Sequence, residues 1–378
     1  MAFPNLHLRA ETKPLEHRSA LTPSTTKALL DAGYPVNVER STLRIFDDSD
    51  FEKVGATLVP EGSWPEAPAD HLIIGLKELP EEDFPLKHTH IQFAHCYKGQ
   101  SGWQTVLARF TRGGGTLLDL EFLQDEMGRR VAAFGFHAGF AGAALAVQAW
   151  AWQLTHQGER LPGVKPYTSE DSLLSDIRHS MQEGEKKVGR TPKALVIGAL
   201  GRCGRGAVDA LQKLGIPDEN ITKWDLPETS AKPGPYKEIL DVDIFVNCIY
   251  LSDPIPPFIE PSSLNSSSRT LSVVCDVSCD TTNPHNPIPI YTINTTFSDP
   301  TVPVEVTDGP PLTVISIDHL PSLMPREASE AFSSALLPSL LSLKDRHSTS
   351  VWIGAEKLFN EKVATLPEEV LREANGHA

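Results

Sequence analysis

Basic residues are in short supply in this chain of 378 residues: 34 Lys and Arg face 49 Asp and Glu, a formal net charge of −15. Phosphate backbones are gripped by basic surfaces, so this balance excludes general nucleic-acid binding. Any anionic substrate must then be met by a few local Arg and Lys. Cysteine is scarce and odd in number, five in all, which fits a reduced, cytoplasmic protein better than a disulfide scaffold. The opening residues MAFPNLHLRAETKP lack the basic-then-apolar plan of a secretory leader. There is no phosphate-binding P-loop, no G-x-S-x-G hydrolase elbow, no internal repeat and no low-complexity tract. The 31 prolines are dispersed and punctuate loops. One stretch without Asp, Glu, Lys or Arg, Ala132 to Trp152, has the length of a membrane span. It is mostly Ala and Gly and contains His137 and Gln148, which indicates a buried helix with Gly135 and Gly139 permitting close backbone approach. No membrane association is expected.

What the chain does have is a core and a rhythm. With 40% hydrophobic and 22% charged residues it is globular in composition, and its length suits two to three domains of roughly 150 residues. Short apolar runs at Leu6–Arg9, Val36–Glu39, Thr57–Val59, Leu72–Lys77, Ile91–His95 and Thr116–Leu120 alternate with helical segments. One helix starts at Thr22 and Pro23, and another covers Trp103–Arg109. A polar stretch, Gly158–Lys193, reads as one exposed helix with flanking loops. The alternation then restarts at Ala194–Ile197, with a helix over Arg202–Leu214. Ile221–Trp224, Asp243–Ile249, Leu271–Val277 and Thr313–Ile317 follow. Continuous apolar strands separated by helices imply parallel sheets covered on both faces. The expected class is α/β, with two doubly wound, Rossmann-like domains and a cleft between them. Residues 1–134 plus 320–378 would form the substrate and catalytic domain, and 135–319 the dinucleotide-binding domain. A final helix over Arg326–Leu343 is expected to pack back on the first domain.

The segment Ala194-Leu-Val-Ile-Gly198-Ala-Leu-Gly201-Arg-Cys-Gly204 delivers a strand into three glycines and then a helix. Glycine tolerates the tight turn and removes side chains that would block a pyrophosphate, whose oxygens the helix-start N–H groups bind. The spacing G-x-x-G-x-x-G is one residue longer at its first gap than the usual fingerprint. Asp225 closes the next apolar run, twenty-one residues after Gly204, where an acid meets the adenosine ribose diol. A carboxylate there repels a 2′-phosphate, so the expected cofactor is NAD in preference to NADP.

Lys77 and His95 stand at the carboxyl ends of two apolar runs, where open parallel sheets bind their ligands. A buried lysine works as a base near neutral pH, and histidine titrates there unaided. Glu78 and Glu121 occupy comparable positions and are candidates for tuning those pKa values, or are simply exposed. His88, His90, His95 and Cys96 cluster in sequence, but an extended chain at about 3.3 Å per residue spreads them too far to share one ion. No metal is expected.

The runs Leu8-Arg-Ala-Glu-Thr-Lys-Pro-Leu-Glu16, Gly75-Leu-Lys-Glu78, His90-Ile-Gln-Phe-Ala-His95-Cys-Tyr and Arg129-Arg-Val-Ala-Ala-Phe134-Gly carry a family resemblance. So do Gly198–Gly204, Asp280-Thr-Thr-Asn-Pro-His-Asn-Pro-Ile-Pro-Ile and Ile317-Asp-His-Leu-Pro-Ser-Leu-Met-Pro-Arg-Glu327. Across nearly its whole length the chain resembles the NAD-dependent, lysine-forming saccharopine dehydrogenases of the fungal lysine pathway. The resemblance implies that saccharopine, NAD and water give L-lysine, 2-oxoglutarate and NADH. Lys77 then takes the proton of the secondary amine, and His95 serves as acid and base for hydration and carbinolamine collapse. It also implies substrate contacts from Arg18, Lys77, Gln100, Arg130, Phe134, Ser278, Cys279 and Asp280. For the cofactor it implies Arg129, Gly201, Arg202, Asp225, Thr229, Tyr250, Val277, Ile317, Asp318, His319 and Leu320. Lys13 and His319 fit either a supporting or a purely structural place. A monomer is implied too. Members of the family often end in a peroxisomal tripeptide, which the final Gly376-His-Ala378 does not match.

Physically, a substrate with three carboxylates needs arginine for bidentate recognition, and Lys77 must be neutral to act as base, a state Glu78 opposes. Two other readings stand beside this one: an alanine-dehydrogenase-like oxidoreductase acting on a smaller amino acid, and a nucleotide-binding sensor without chemistry. Cys203, in the glycine turn, and Cys248 fall on neighbouring elements of a doubly wound order. They are expected either to bridge, aided by a helix N-terminus that favours the thiolate, or to pack as buried thiols.

Overall fold

The structure, a computed structural model, describes residues 3–281 and 283–370. The C-terminal Gly376-His-Ala378 lies outside the described residues. The chain divides into two compact units, one formed by 1–133 with 325–378 and the other by 134–324.

The first unit begins with β1 (Leu6–Leu8), α1 (Pro23–Asp31), β2 (Val36–Glu39), α2 (Asp48–Lys53) and β3 (Thr57–Val59). It continues with β4 (Leu72–Ile74), β5 (Thr89–Gln92), α3 (Trp103–Gly113) and β6 (Thr116–Asp119). Thr22 caps α1 in a reciprocal capping box with Thr25, and Pro23 occupies the first turn. The caps satisfy N–H groups that the helix itself cannot. The six strands run in the order β3-β2-β1-β4-β5-β6, every neighbouring pair parallel. The order reverses between β1 and β4, so the loops leaving their carboxyl ends meet at a switch point.

The second unit runs α4 (Gly135–Thr155), α5 (Glu170–Val188), β7 (Ala194–Ile197), α6 (Arg202–Leu214), β8 (Ile221–Trp224) and α7 (Leu226–Ala231). It is completed by α8 (Lys237–Leu240), β9 (Ile244–Asn247), β10 (Val273–Asp276), β11 (Val302–Val304) and β12 (Leu312–Ile315). Its sheet order is β11-β12-β10-β9-β7-β8, parallel except that β11 lies antiparallel on β12. The chain then rejoins the first unit as α9 (Pro325–Leu340) and α10 (Ser350–Val363).

Two expectations about helices are corrected. The polar stretch before β7 does form a long helix, α5, but Leu173, Leu174, Ile177, Met181 and Gly184 are buried along one face. Four of these join the core under α4, so α5 is amphipathic and not exposed. The uncharged segment is α4, a core helix, and no helix among the described residues is long and apolar enough to cross a membrane. Its close approaches are made at Gly139 and Gly142, not at Gly135. A Cβ on Gly139 would lie 1.9 Å from the Cys203 carbonyl oxygen, and one on Gly142 would lie 2.9 Å from Val277 Cγ2. At Gly135 the nearest atom is at an ordinary 3.6 Å. From the other side, Gly206 of α6 faces the Phe136 carbonyl, 1.9 Å from where its Cβ would be.

Gly139→Ala therefore forces α4 away from the backbone of the glycine turn. Overpacking of this kind costs about 1–3 kcal/mol. The melting temperature should fall by roughly 2–12 °C, at about 2–4 °C per kcal/mol for a unit of this size. An unchanged melting temperature would contradict the packing described.

Candidate active site

Lys77 and His95 both lie past the strand ends, in loops, because β4 stops at Ile74 and β5 at Gln92. A distant side chain replaces the strand partner. The Glu11 carboxylate accepts the N–H of Leu76 at 2.6 Å and that of Lys77 at 3.0 Å. The Arg9 guanidinium donates to the Lys77 carbonyl and crosses Gly75 so closely that a Cβ there would sit 2.2 Å from Arg9 Nε. The backbone presenting Lys77 is thus fixed by a buried Arg9–Glu11 pair whose side chains are 1% and 8% exposed. Sequence reasoning gave these two residues no role. Their signal was present only as part of the Leu8–Glu16 run.

The environment of Lys77 disfavours its charge. Burial first, and the Arg18 guanidinium second, push the amine below its ordinary value of 10.5, outweighing the opposite pull of Glu78 and Glu16. Arg18 is itself buried and bidentate to Glu16, with Nε–Oε1 at 2.8 Å and Nη2–Oε2 at 2.7 Å. Burial alone would raise the Glu16 carboxyl, but Arg18 and then Lys77 hold it below the usual range. Glu16 was not singled out in the sequence.

His95 has a positive φ of 48°, a conformation side chains seldom adopt unless surroundings impose it. Its Nδ1 is hydrogen-bonded to Glu78 Oε1, and Glu78 Oε2 accepts from Lys13 Nζ at 3.2 Å. Despite burial, which works the other way, the His95 bond and charge hold the Glu78 carboxyl well below the usual range. Lys13, Glu78 and His95 therefore form one chain of contacts. Glu121 anchors a second, with Lys98 Nζ at 2.7 Å and Arg130 Nη2 at 3.6 Å. Gln100 Oε1 accepts the N–H of Lys98 at 2.8 Å. Arg129 pairs with Asp125 at 3.1 Å. Among the described residues no group of three His, Cys, Asp or Glu side chains is arranged to hold a metal ion.

In the second unit the glycine turn is tight. Gly198 has φ 86°, and a Cβ on Gly204 would lie 2.0 Å from the Gly198 carbonyl. Gly201 caps α6 without any side-chain bond, leaving Arg202 to open a helix with its first N–H groups unclaimed by a cap. Asp225 stands at the end of β8 and spans two roles. Oδ2 accepts the Leu200 N–H at 2.9 Å and Oδ1 the Leu226 N–H at 2.9 Å, while Glu228 completes a capping box on α7. Thr229 Oγ1 donates to the Asp225 carbonyl at 3.0 Å. Tyr250, beyond β9, donates to Asp280 at 3.2 Å. Val277 follows β10, with its N–H on the Asn247 carbonyl, and Ser278 and Cys279 follow it. Ile317 and Leu320 are buried, and between them His319 Nδ1 meets Asp318 Oδ1 at 2.5 Å.

The bridge considered for Cys203 and Cys248 is not formed, and all five cysteines are free. The two sulfurs are nonetheless neighbours: the Cys203 thiol contact, followed by burial, raises the Cys248 thiol well above its ordinary value. A buried thiol held protonated lacks the thiolate that disulfide exchange requires.

Similarity to known proteins bears directly on this arrangement. The saccharopine dehydrogenase [NAD(+), L-lysine-forming] of Neurospora crassa is 67% identical over 98% of this chain and 100% of its own. The enzyme of the same name from Emericella nidulans is 65% identical over 97% of this chain and 100% of its own. The chain belongs to the NAD-dependent, lysine-forming saccharopine dehydrogenase family. Residues 7–141 also match the family described as alanine dehydrogenase/PNT, N-terminal domain. A solved L-alanine dehydrogenase superposes with a TM-score of 0.62 over 98% of this chain and 100% of its own, at 17% identity. That likeness shows the Rossmann-type two-domain fold, whereas the saccharopine dehydrogenases match at high identity.

A saccharopine dehydrogenase that reads the ribose through Asp225 should discriminate against a 2′-phosphate by charge. Asp225→Ser keeps a capping oxygen for α7 but removes the carboxylate, and should narrow the preference for NAD over NADP by about tenfold or more, the scale of about 1.4 kcal/mol or more of charge repulsion in a partly exposed site. Measured kcat/KM values for the two cofactors check this, and an unchanged ratio would mean that another residue reads the ribose.

Proposed function

We propose that this protein catalyses the reversible, NAD-dependent cleavage of saccharopine to L-lysine and 2-oxoglutarate, with Lys77 as base and His95 as acid–base. The observation that carries the reading is the Lys77 amine, displaced below its ordinary value by burial and by Arg18. A general base must be unprotonated in a useful fraction at working pH, and a charged lysine would also repel the substrate ammonium.

The tight glycine turn, with no room for a Cβ at Gly204, and Asp225 at the end of β8 support the dinucleotide reading. Bound there, NAD would supply the acceptor for the hydride leaving the glutamyl Cα. The chain's own residues do the rest. Lys77 Nζ removes the proton of the secondary amine, so that loss of the hydride leaves a substrate imine. His95, its Nδ1 tied to Glu78, keeps Nε2 to activate water against that imine. It then returns the proton to the departing lysine amine as the carbinolamine collapses. Arg130, 40% exposed and loosely paired with Glu121 at 3.6 Å, can exchange that partner for a substrate carboxylate. Arg18, already bidentate to buried Glu16, serves Lys77 by its charge. Gln100, Phe134 and Ser278–Asp280 complete the proposed substrate contacts. Arg129, Gly201, Arg202, Thr229, Tyr250, Val277 and Ile317–Leu320 join Asp225 on the cofactor. The free cysteines suit a reducing, cytoplasmic setting, and the family resemblance carries the expectation of a monomer.

Two assays on the purified protein decide between substrates. Consumption of NADH with L-lysine plus 2-oxoglutarate supports the reading, whereas consumption only with pyruvate plus ammonia would replace it with the alanine-dehydrogenase alternative. Lys77→Met should lower kcat by about two to three orders of magnitude, the usual scale for a general base, with NADH affinity little changed. Near-wild-type turnover in that variant would remove Lys77 from the mechanism.

A further inference from the structure

Asp119 closes β6, is 1% exposed, and takes no part in the proton transfers described above. Both of its oxygens are spent on backbone. Oδ2 accepts the N–H of Ala94 at 3.2 Å, and Oδ1 accepts the N–H of Glu121 at 2.8 Å. Ala94 immediately precedes His95, whose positive φ of 48° makes it, with Leu15, one of two non-glycine residues in the left-handed region among the described residues. Such a backbone persists only where its surroundings fix it. From the β4 side the segment is fixed by Phe93, whose N–H meets the Leu76 carbonyl at 3.0 Å, and by the His95–Glu78 bond. From the β6 side it is fixed by Asp119. The second oxygen anchors the Glu121 backbone, and the Glu121 carboxylate holds Lys98 and Arg130.

Burial pushes the Asp119 carboxyl up to about 6, and in its ionised form it is a charge-assisted acceptor for both N–H groups. Among the described residues the Ala94 N–H has the Asp119 carboxylate as its acceptor.

We propose that Asp119 is a positioning residue for the reaction, clamping the Ala94 N–H so that the His95 imidazole is held in the orientation its proton transfers require. The inference rests on the proposed role of His95. It assigns to a buried carboxylate on a neighbouring strand the task of sustaining a strained backbone at the site, and it joins that task to the loop presenting Arg130.

The test is a double-mutant cycle on the full chain, read by steady-state and single-turnover NADH kinetics. Asp119→Asn keeps the shape but leaves one acceptor oxygen for two N–H groups. It should lower kcat about ten- to hundredfold, the scale of a small misplacement of a reacting group. The affinity for NAD should stay within about twofold, because the substitution touches none of the proposed cofactor contacts. In a His95→Gln background the same substitution should cost nothing further, since no imidazole is left to position. A wild-type kcat in Asp119→Asn, or an equal fall in both backgrounds, would overturn the inference in favour of a structural role. If Asp119→Asn fails to give a wild-type circular dichroism spectrum, Asp119→Ser, which retains one small acceptor, is read through the same cycle. Wild type is assayed alongside: inactivity toward saccharopine there would count against the proposed function, while a wild-type-like Asp119→Asn counts against the clamp alone.

Discussion

A buried amine whose charged form is disfavoured by burial and by Arg18, inside a chain with fifteen more acidic than basic residues, is the constraint around which the first unit is arranged. Burial of Lys77 withdraws hydration from its ammonium form. Yet two carboxylates, Glu16 and Glu78, lie near enough to restore the charge. Each is engaged by another cation or ring: Glu16 by Arg18 in a buried bidentate pair, Glu78 by His95 and Lys13. Pairing the carboxylates leaves burial and the Arg18 guanidinium as the larger influences on the amine. The same pairing orients the His95 ring, so the proposed base and the proposed acid–base are set by one connected group of side chains.

That group works only if the loops carrying it are rigid. The parallel sheet delivers Lys77 and His95 beyond strand ends, where no neighbouring strand remains to take their backbone hydrogen bonds. Buried polar groups must then do so, since an unpaired buried N–H is costly. Glu11 takes the N–H of Leu76 and Lys77, Arg9 takes the Lys77 carbonyl, and Asp119 takes the Ala94 N–H. Buried ion pairs such as Arg9–Glu11 contribute little net stability. Their presence beside the two reactive side chains is better explained by the geometry they impose.

What could be read from the sequence follows the range of each interaction. The strand–glycine turn–helix unit was legible because strand, glycines, helix and Asp225 lie within one local stretch, and the structure places Gly198 at the positive φ its turn requires. The positions of Lys77 and His95 past apolar runs were legible for the same reason. The strand ends were placed about three residues late, because the partner of the Leu76 N–H is a side chain 65 residues away. Nothing local announces Glu11, Arg9 or Asp119 as site residues, and nothing local distinguishes Gly142 from Gly135 on α4. Likewise, α5 looked polar because its buried face is narrow, α10 lacked a strong start signal, and β11 joins its sheet antiparallel through a contact that no alternation pattern encodes. The Cys203–Cys248 pair illustrates the converse. Topology brought the sulfurs together, but the Cys203 contact itself, followed by burial, raises the Cys248 thiol well above its ordinary value.

The account stands or falls on the protonation of Lys77, and the most direct measurement is its own titration. Competitive labelling of the lysine amines with a trace acylating reagent across a pH series, read peptide by peptide by mass spectrometry, gives the pKa of each accessible amine in the folded protein. The account predicts that Lys77 titrates clearly below the ordinary lysine value of 10.5, and that Arg18→Met, which removes the cation that lowers it most, moves it upward. A Lys77 that titrates at or above the ordinary value would contradict it.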